Sequence, residues 1–499
     1  MDKINVGIIG CGRISDLHAP GYRRSPNARI AAVCDTDRDL AERRKADWGA
    51  DTAHADYRDL LRDGNVDAVE ILSPHGLHEA MVIDAARAGK HIAVQKPMSI
   101  DLASADRMLA AVAEAGVVLR ITDNYVFYPP IVLAKKLIDD GAIGTPSNLR
   151  IKMISGGSGG WAVPATAWDW RLAENAAGRG MQTFDHGHHL WTTAWHLLGE
   201  ITRVSAWIDS ADGIVDSPAA IMWKYHRGAC YGMCEYAHAA DMHIPSTYYA
   251  NDEWIEVTGT RGIVLITRCT GDICPGPGVR LFDGYRWRDF ADVATDWGEG
   301  FTGATANFIA AIRGEAPPLL SGEQGRQMLR LNLAISRSAR LRREVYTEEL
   351  DARWPWFYTR RRICRERRAA SPGRSLGSLL GLGKKDALLA GQARTLTEAL
   401  VDRFDGSAVQ GWQVQVGLHL TAQGSTPEMR YRLDVGDGRA QLTAGGWTDA
   451  ADLVIRVPAG TWAAILLGKK RIETALLQGQ LKLSGKAEHG LKLRSAFGI

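Results

Sequence analysis

A chain of 499 residues suggests two to four domains, and its 45% hydrophobic and 23% charged residues describe globular domains able to bury sizeable cores. A formal net charge of +3 excludes a dedicated nucleic-acid binder, and no apolar run approaches the roughly 20 residues that span a bilayer. The first strand begins so near the start that no room is left for a signal peptide, and seven scattered cysteines point to a reducing cytoplasm rather than a disulfide framework.

Val6-Gly7-Ile8-Ile9 reads as a buried strand running into Gly10-Cys11-Gly12-Arg13-Ile14-Ser15. Gly10 permits the tight turn, and Gly12 lets the backbone approach a pyrophosphate. The helix that follows points its free N–H groups and positive end at the phosphates. Ser15 stands where a third glycine is usual, and it is small enough for close helix–strand packing. A second strand, Ile30–Cys34, ends on Asp35, where a carboxylate would hydrogen-bond a ribose 2′-OH and repel a 2′-phosphate. NAD is the expected cofactor. Arg38 lies close enough to offset part of that repulsion, which leaves NADP possible. Further on come Ser73-Pro74-His75-Gly76-Leu77-His78 and the segment Gly89 to Pro97, which places Lys96 at the carboxyl end of a strand. Ligands of open α/β sheets bind there, and an ammonium group would stabilise the reacting oxygen of a substrate. Residues 1–125 alternate short strands with amphipathic helices such as Leu102–Ala115, the pattern of a Rossmann-type doubly wound parallel sheet.

Residues 126–346 read as an α+β substrate and oligomerisation domain on an open, largely antiparallel sheet. Its strands are Leu149–Ile154, Arg203–Trp207, Ala220–Tyr225, Trp254–Thr258 and Val264–Thr267, and its marked helix is Phe184–Leu198. Asp185 and His189, four residues apart, are expected to share one face of that helix. His189 would take a hydroxyl proton, while Asp185 would orient the substrate or the imidazole. Tyr125, Arg171 and His188 are further substrate contacts. Helical spacing points adjacent histidines apart, so no metal is expected from His186, His188 and His189. Cys230/Cys234 and Cys269/Cys274 fit no standard zinc spacing and read as core thiols. Helices at Phe308–Ile312 and Gly322–Arg340 are expected to return to the first domain.

These landmarks resemble the Gfo/Idh/MocA family over about residues 3–346. The family's Glu-Lys-Pro signature is Gln95-Lys96-Pro97 here, and its Thr-Pro-Asn-x-x-His element looks like Ser73 to His78. Its Gly-rich stretch followed by Asp-x-Gly-x-His matches Gly178-Arg179-Gly180 and then Asp185 to His189, with Trp168-Asp169-Trp170-Arg171 before it. The resemblance implies cofactor contacts at Gly10, Gly12, Arg13, Ile14, Asp35, Ser73, His75, His78, Gln95 and Lys96. It also implies a catalytic set of Lys96, Asp185 and His189. Glutamine at 95 removes a charge beside the nicotinamide. The implied activity is NAD(P)-dependent oxidation of a CH–OH group in a sugar, cyclitol or related glycoside, by a homo-oligomer (dimer or tetramer). One alternative is a glycosidase or lyase that uses NAD only for transient oxidation and elimination. Another is a lipid-binding carrier or scaffold whose dehydrogenase domain is inactive.

Past Val345 the character changes. Trp354–Tyr358 and an arginine-rich run from Arg360 to Arg374 lie in an expected linker, 347–390, and are read as a solvated segment, with weak peripheral membrane contact as the other possibility. Residues 391–499 form a small α+β domain. Trp412–Leu420 and Met429–Val435 alternate strictly, Gly436-Asp437-Gly438 after them supplies a hairpin turn, and Leu453–Val457 adds a third strand. Helices around Trp462–Leu466 and Glu473–Leu477 are expected to cover the apolar face. The segment Ala451 to Phe497, with Gln478-Gly479-Gln480-Leu481-Lys482-Leu483-Ser484-Gly485 at its centre, is similar to the sterol carrier protein type 2 family. That likeness implies a lipid or other apolar ligand.

Overall fold

The computed structural model describes residues 3–211, 213–351, 389–446 and 450–498. The chain divides into two units, Met1–Arg361 and Arg362–Ile499. The aromatic and arginine-rich stretch expected as a linker lies outside the described residues. Chain order remains packed into the first unit as far as a short helix at Thr347–Leu350, where buried Glu349 accepts from Arg343 and from the Tyr346 N–H. Among the described residues no helix is long and apolar enough to cross a membrane.

The first unit contains two sheets. Strands Ile4–Ile9 (β1), Ala28–Cys34 (β2), Thr52–His54 (β3), Ala68–Ile71 (β4), His91–Gln95 (β5) and Leu119–Thr122 (β6) form a parallel sheet in the order β3-β2-β1-β4-β5-β6. Order reverses between β1 and β4, which opens a crevice at their carboxyl ends, and Gly10, Ser73, Lys96 and Asp123 follow the carboxyl ends of β1, β4, β5 and β6 in turn. The strands are nearly all apolar because helices cover both faces.

The second sheet joins Pro146–Ser158 (β7), Ile201–Ile208 (β8), Ala219–Tyr225 (β9), Tyr231–His243 (β10), Asn251–Gly259 (β11), Ile263–Ile266 (β12), Val279–Phe282 (β13), Trp287–Phe290 (β14) and Val345–Tyr346 (β15). It is antiparallel except for the β7–β10 pair. One face packs on the helix Gly187–Leu198, burying Ile221, Trp223 and Cys234. The opposite face leaves Trp207 (61% exposed), Met222 and Tyr231 in solvent. Helices Gly298–Ile312 and Gly322–Leu341 return to the Rossmann sheet. The second needs glycine at 325, where an added Cβ would meet Ile121 of β6.

The helix expected from Phe184 is two segments: a π-helical turn, Met181–His186, and an α-helix beginning at Gly187. Asp216 starts the turn by accepting from the Gln182 N–H (2.6 Å) and the Thr183 N–H (2.8 Å), and an added Cβ at Gly180 would collide with that carboxylate.

The second unit holds Val414–Thr421 (β16), Met429–Gly436 (β17), Arg439–Ala444 (β18), Leu453–Pro458 (β19) and Lys482–Gly485 (β20) in the order β18-β17-β16-β19-β20. Asp437 (φ +52°) and Gly438 (φ +73°) turn β17 into β18, as a two-residue hairpin with both central residues left-handed requires. Helix Ala459–Leu466 is wholly buried on this sheet, and its Trp462 donates to Thr397 Oγ1 at 3.0 Å. The expectation for the next helix is corrected. Ile472–Leu477 buries only Ala475 and leaves Leu477 90% exposed, while Ala393–Glu398 and Ala487–Phe497 supply the remaining cover.

Candidate active site

At the end of β1, Gly10 has φ +98°, and a Cβ there would sit 2.6 Å from the Leu72 carbonyl, so only glycine fits. An added Cβ at Gly12 would meet nothing within 4 Å, which marks open space over the loop. Ser15 folds its hydroxyl back onto the Gly12 carbonyl at 2.6 Å. Asp35 accepts from the Cys11 N–H (2.7 Å) and the Asp37 N–H (2.9 Å), so it tethers the loop as well as offering free lone pairs to a ribose. Arg13 lies over Trp161 at 4.3 Å, Ile14 caps the first helix against the core, and Arg38 is exposed. The Ser73 hydroxyl is buried without a protein partner among the described residues. Open space over Gly12, this orphaned hydroxyl and the Asp35 acceptors fit a dinucleotide.

His78, an expected cofactor contact, is a structural clamp instead. It is wholly buried, with Nδ1 3.0 Å from the Pro97 carbonyl and Nε2 2.9 Å from that of Ser73. Burial pushes its pKa down to about 4, so the ring is neutral and donates from one nitrogen at a time. His75 places Nε2 3.4 Å from Asp185 and its ring edge-on to Trp170.

Lys96 donates to Asp185 twice, to the backbone carbonyl at 2.9 Å and to Oδ1 at 2.8 Å. Arg171 Nε meets Asp185 Oδ2 at 3.2 Å. Burial alone would raise the Asp185 pKa, but Lys96, His75 and Arg171 outweigh it and hold the carboxylate well below its ordinary value. An ammonium group carries three donors, and among the described residues no third acceptor meets this one.

His189 is held by a residue that the sequence analysis passed over. Its Nδ1 lies 2.7 Å from Asp123 Oδ1, just past β6, and His188 Nδ1 lies 3.3 Å from the other oxygen of the same carboxylate. Tyr125 stacks on the His189 ring at 4.4 Å with planes 19° apart. Burial pushes His189 down to about 4; Asp123 opposes this and Lys96 adds to it. The imidazole is therefore neutral near pH 7. Asp185 does not orient it, because the π turn swings Asp185 toward Lys96. Two expected substrate contacts are also corrected. His188 is fully buried, and Tyr125 is fully buried with its hydroxyl on Thr270 at 3.1 Å, so both back the site rather than line it. Arg171 keeps partial exposure beside Asp185. On the far side, His186 pairs with buried Glu253 at 3.0 Å.

Residues 4–122 match the model of the oxidoreductase family with an NAD-binding Rossmann fold, and residues 131–265 match the GFO/IDH/MocA C-terminal domain. The scyllo-inositol 2-dehydrogenase (NAD(+)) of Bacillus subtilis is 30% identical over 270 residues, which span 53% of this chain and 74% of the relative. The chain belongs to the Gfo/Idh/MocA oxidoreductase family. Myo-inositol 2-dehydrogenase of Thermotoga maritima is 29% identical over 367 residues, covering 70% of this chain and 99% of that one. The crystal structure of the WlbA dehydrogenase from Bordetella pertussis, in complex with NADH and UDP-GlcNAcA, superposes with a TM-score of 0.56 at 25% identity, over 69% of this chain and 98% of the other. Residues 399–498 match the SCP-2 sterol transfer family.

The departure from the Gfo/Idh/MocA pattern at Gln95 has a visible partner. Gln95 Nε2 faces His18 Nε2 at 3.3 Å, and His18 Nδ1 faces Glu70 at 3.1 Å. Burial would raise Glu70, but His18 heads the groups that bring it down to about 2, with Arg120, Tyr22 and Thr122 around the same carboxylate. A carboxylate in place of Gln95 would leave His18 between two acids. The amide instead brings no second negative charge to that ring. Cys234 in β10 and Cys230 and Cys269 outside the strands are free buried thiols, and burial raises the pKa of each.

Proposed function

We propose that the chain oxidises a secondary alcohol of a cyclitol, sugar or related glycoside with NAD, using Lys96, Asp185 and His189 as its catalytic set. The observation that carries this reading is the convergence of a charged Lys96–Asp185 pair and a neutral His189 at the carboxyl ends of β5 and β6. The Gly10–Ile14 loop, Asp35, Ser73 and Gln95 would hold the cofactor. When bound, NAD supplies the hydride acceptor. The remaining task is the hydroxyl proton. Lys96 keeps one N–H for the reacting oxygen and favours charge developing there. His189 Nε2, without a protein partner among the described residues, accepts the proton as the carbonyl forms. Arg171 and Asp185 orient the neighbouring hydroxyls. NAD is preferred over NADP because Asp35 lies where a 2′-phosphate would come.

Incubation of the purified chain with NAD and a panel of myo-inositol, scyllo-inositol, simple sugars and their glycosides tests the reading. Stoichiometric NADH with one member supports it. Release of the aglycone without net NADH would instead favour oxidation followed by elimination, and no turnover on any member would overturn both.

We further propose a cytoplasmic homo-oligomer, a dimer or tetramer, with the second unit taking an apolar ligand. Free cysteines support the compartment. Trp207, Met222 and Tyr231 on the open sheet face support self-association. The expected mass from light scattering is a multiple of 54.5 kDa, and Trp207→Glu with Met222→Glu should reduce it. The match of residues 399–498 to the SCP-2 sterol transfer family supports the lipid ligand. The full chain should bind a fluorescent fatty acid at micromolar affinity, and deletion of residues 391–499 should abolish that binding while leaving NADH formation from a water-soluble alcohol unchanged.

A further inference from the structure

We propose that Asp123 is a positioning residue for the general base, fixing the proton of His189 on Nδ1 so that the Nε2 lone pair is presented to the substrate hydroxyl. This rests on the role given to His189 above. Asp123 is completely buried, follows β6, and spends its two oxygens on consecutive histidines: His189 Nδ1 at 2.7 Å and His188 Nδ1 at 3.3 Å. The Tyr125 N–H donates to Oδ1 as well, at 3.1 Å, which orients the carboxylate from its own segment. A buried carboxylate accepts hydrogen bonds and gives none, so the ring nitrogen facing it must carry the proton. The opposite nitrogen is then the acceptor. Tyr125 stacked on one face of the ring prevents it from turning away.

The same contact stabilises the product of proton transfer. Once Nε2 is protonated, the imidazolium faces an anion at 2.7 Å instead of a desolvated wall. His188 holds the second oxygen at the same Nδ1 that Thr192 meets at 3.2 Å, so the carboxylate is engaged through both of its oxygens. The charged and titratable groups facing His189 are Asp123 and Tyr125 from the segment after β6, Lys96 from the end of β5, and His186 and His188 from its own segment. Among the described residues facing His189, Asp123 supplies the negative charge that favours the protonated ring.

Two readouts separate this proposal from the reading on which it rests. Nitrogen-15 NMR of the full chain with labelled histidine, assigned through His189→Gln, reports the tautomer without any substrate. At pH 7, a protonated Nδ1 and a pyridine-type Nε2 are expected. On whichever polyol of the panel turns over, Asp123→Asn should keep NAD affinity within about threefold. It should lower kcat by about two to four orders of magnitude and move the acid limb of the kcat profile to lower pH, because the imidazolium loses its anion. Asp123→Glu should recover part of kcat. A wild-type His189 protonated on Nε2 overturns the proposal, as do an unchanged kcat and acid limb in Asp123→Asn. If no polyol is oxidised, the functional reading fails and the tautomer spectrum alone decides on Asp123. If Asp123→Asn does not fold, the wild-type spectrum decides again.

Discussion

Replacing Lys96 or His189 with alanine is expected to lower kcat by about two to four orders of magnitude while leaving NAD affinity within about threefold of wild type. Both side chains lie at the reacting end of the crevice, away from the Gly10–Ile14 loop. Lys96→Ala removes the donor left over from Asp185 and the cation that keeps that carboxylate ionised in a buried setting. His189→Ala removes the proton acceptor but leaves Asp123 paired with His188. Steady-state kinetics on the oxidised polyol, beside NAD titrations followed by tryptophan fluorescence, check both halves. The wild-type profile has a defined sign. His189 is pushed down to about 4, so the basic form exists above that value, and activity should fall as pH drops through it. Loss of NAD binding with unchanged chemistry in either variant would contradict the assigned roles.

Asp35→Ser should weaken NAD and raise the preference for NADP relative to NAD. The carboxylate does two jobs that serine cannot both repeat, because it accepts the Cys11 N–H of the phosphate loop at 2.7 Å and is the expected ribose acceptor. Losing one hydrogen bond to a charged group costs about 1.5–3 kcal/mol, or roughly ten- to a hundredfold in Kd for NAD. Repulsion of a 2′-phosphate disappears at the same time, leaving Arg38 free to attract it. Isothermal titration with both cofactors measures the ratio directly. A wild type that already prefers NADP would show that Asp35 does not set the choice.

Periodicity carried much of the architecture. Strands such as Ile30–Cys34 and Met429–Val435 announce themselves because each alternation or apolar run has one place to be buried, and Leu102–Ala115 is capped by Asp101 and Gly116 at the expected ends. Lys96 and Asp35 were legible because they sit at fixed offsets from the glycine turn and from the proline after β5. Asp123 was not. Nothing in Leu119-Arg120-Ile121-Thr122-Asp123 distinguishes a strand-end acid that reaches a helix 66 residues later from an ordinary one, although its place beyond a carboxyl end was a usable hint. His188 and Tyr125 misled for the opposite reason. Their residue types suit a substrate, but only packing reveals that Asp123 and Thr270 already claim them. The short helices that open the described part of the second unit escaped because Ala393–Glu398 is too brief to show a period.

The π turn at Met181–His186 makes residue count, as well as residue identity, a sensitive variable of this site. A π turn is one extra residue accommodated in an otherwise regular helix, and the surplus shifts the phase of everything before it. Asp216 clamps the leading amides and Asn332 Nδ2 holds the Phe184 carbonyl at 2.9 Å, so the surplus is pinned at both ends. Removing a single residue between Gly180 and Gly187 would restore an ordinary helix, carry Asp185 back over His189, and part it from Lys96. The register of the turn therefore matters to Asp185 beyond the identity of the side chains that flank it.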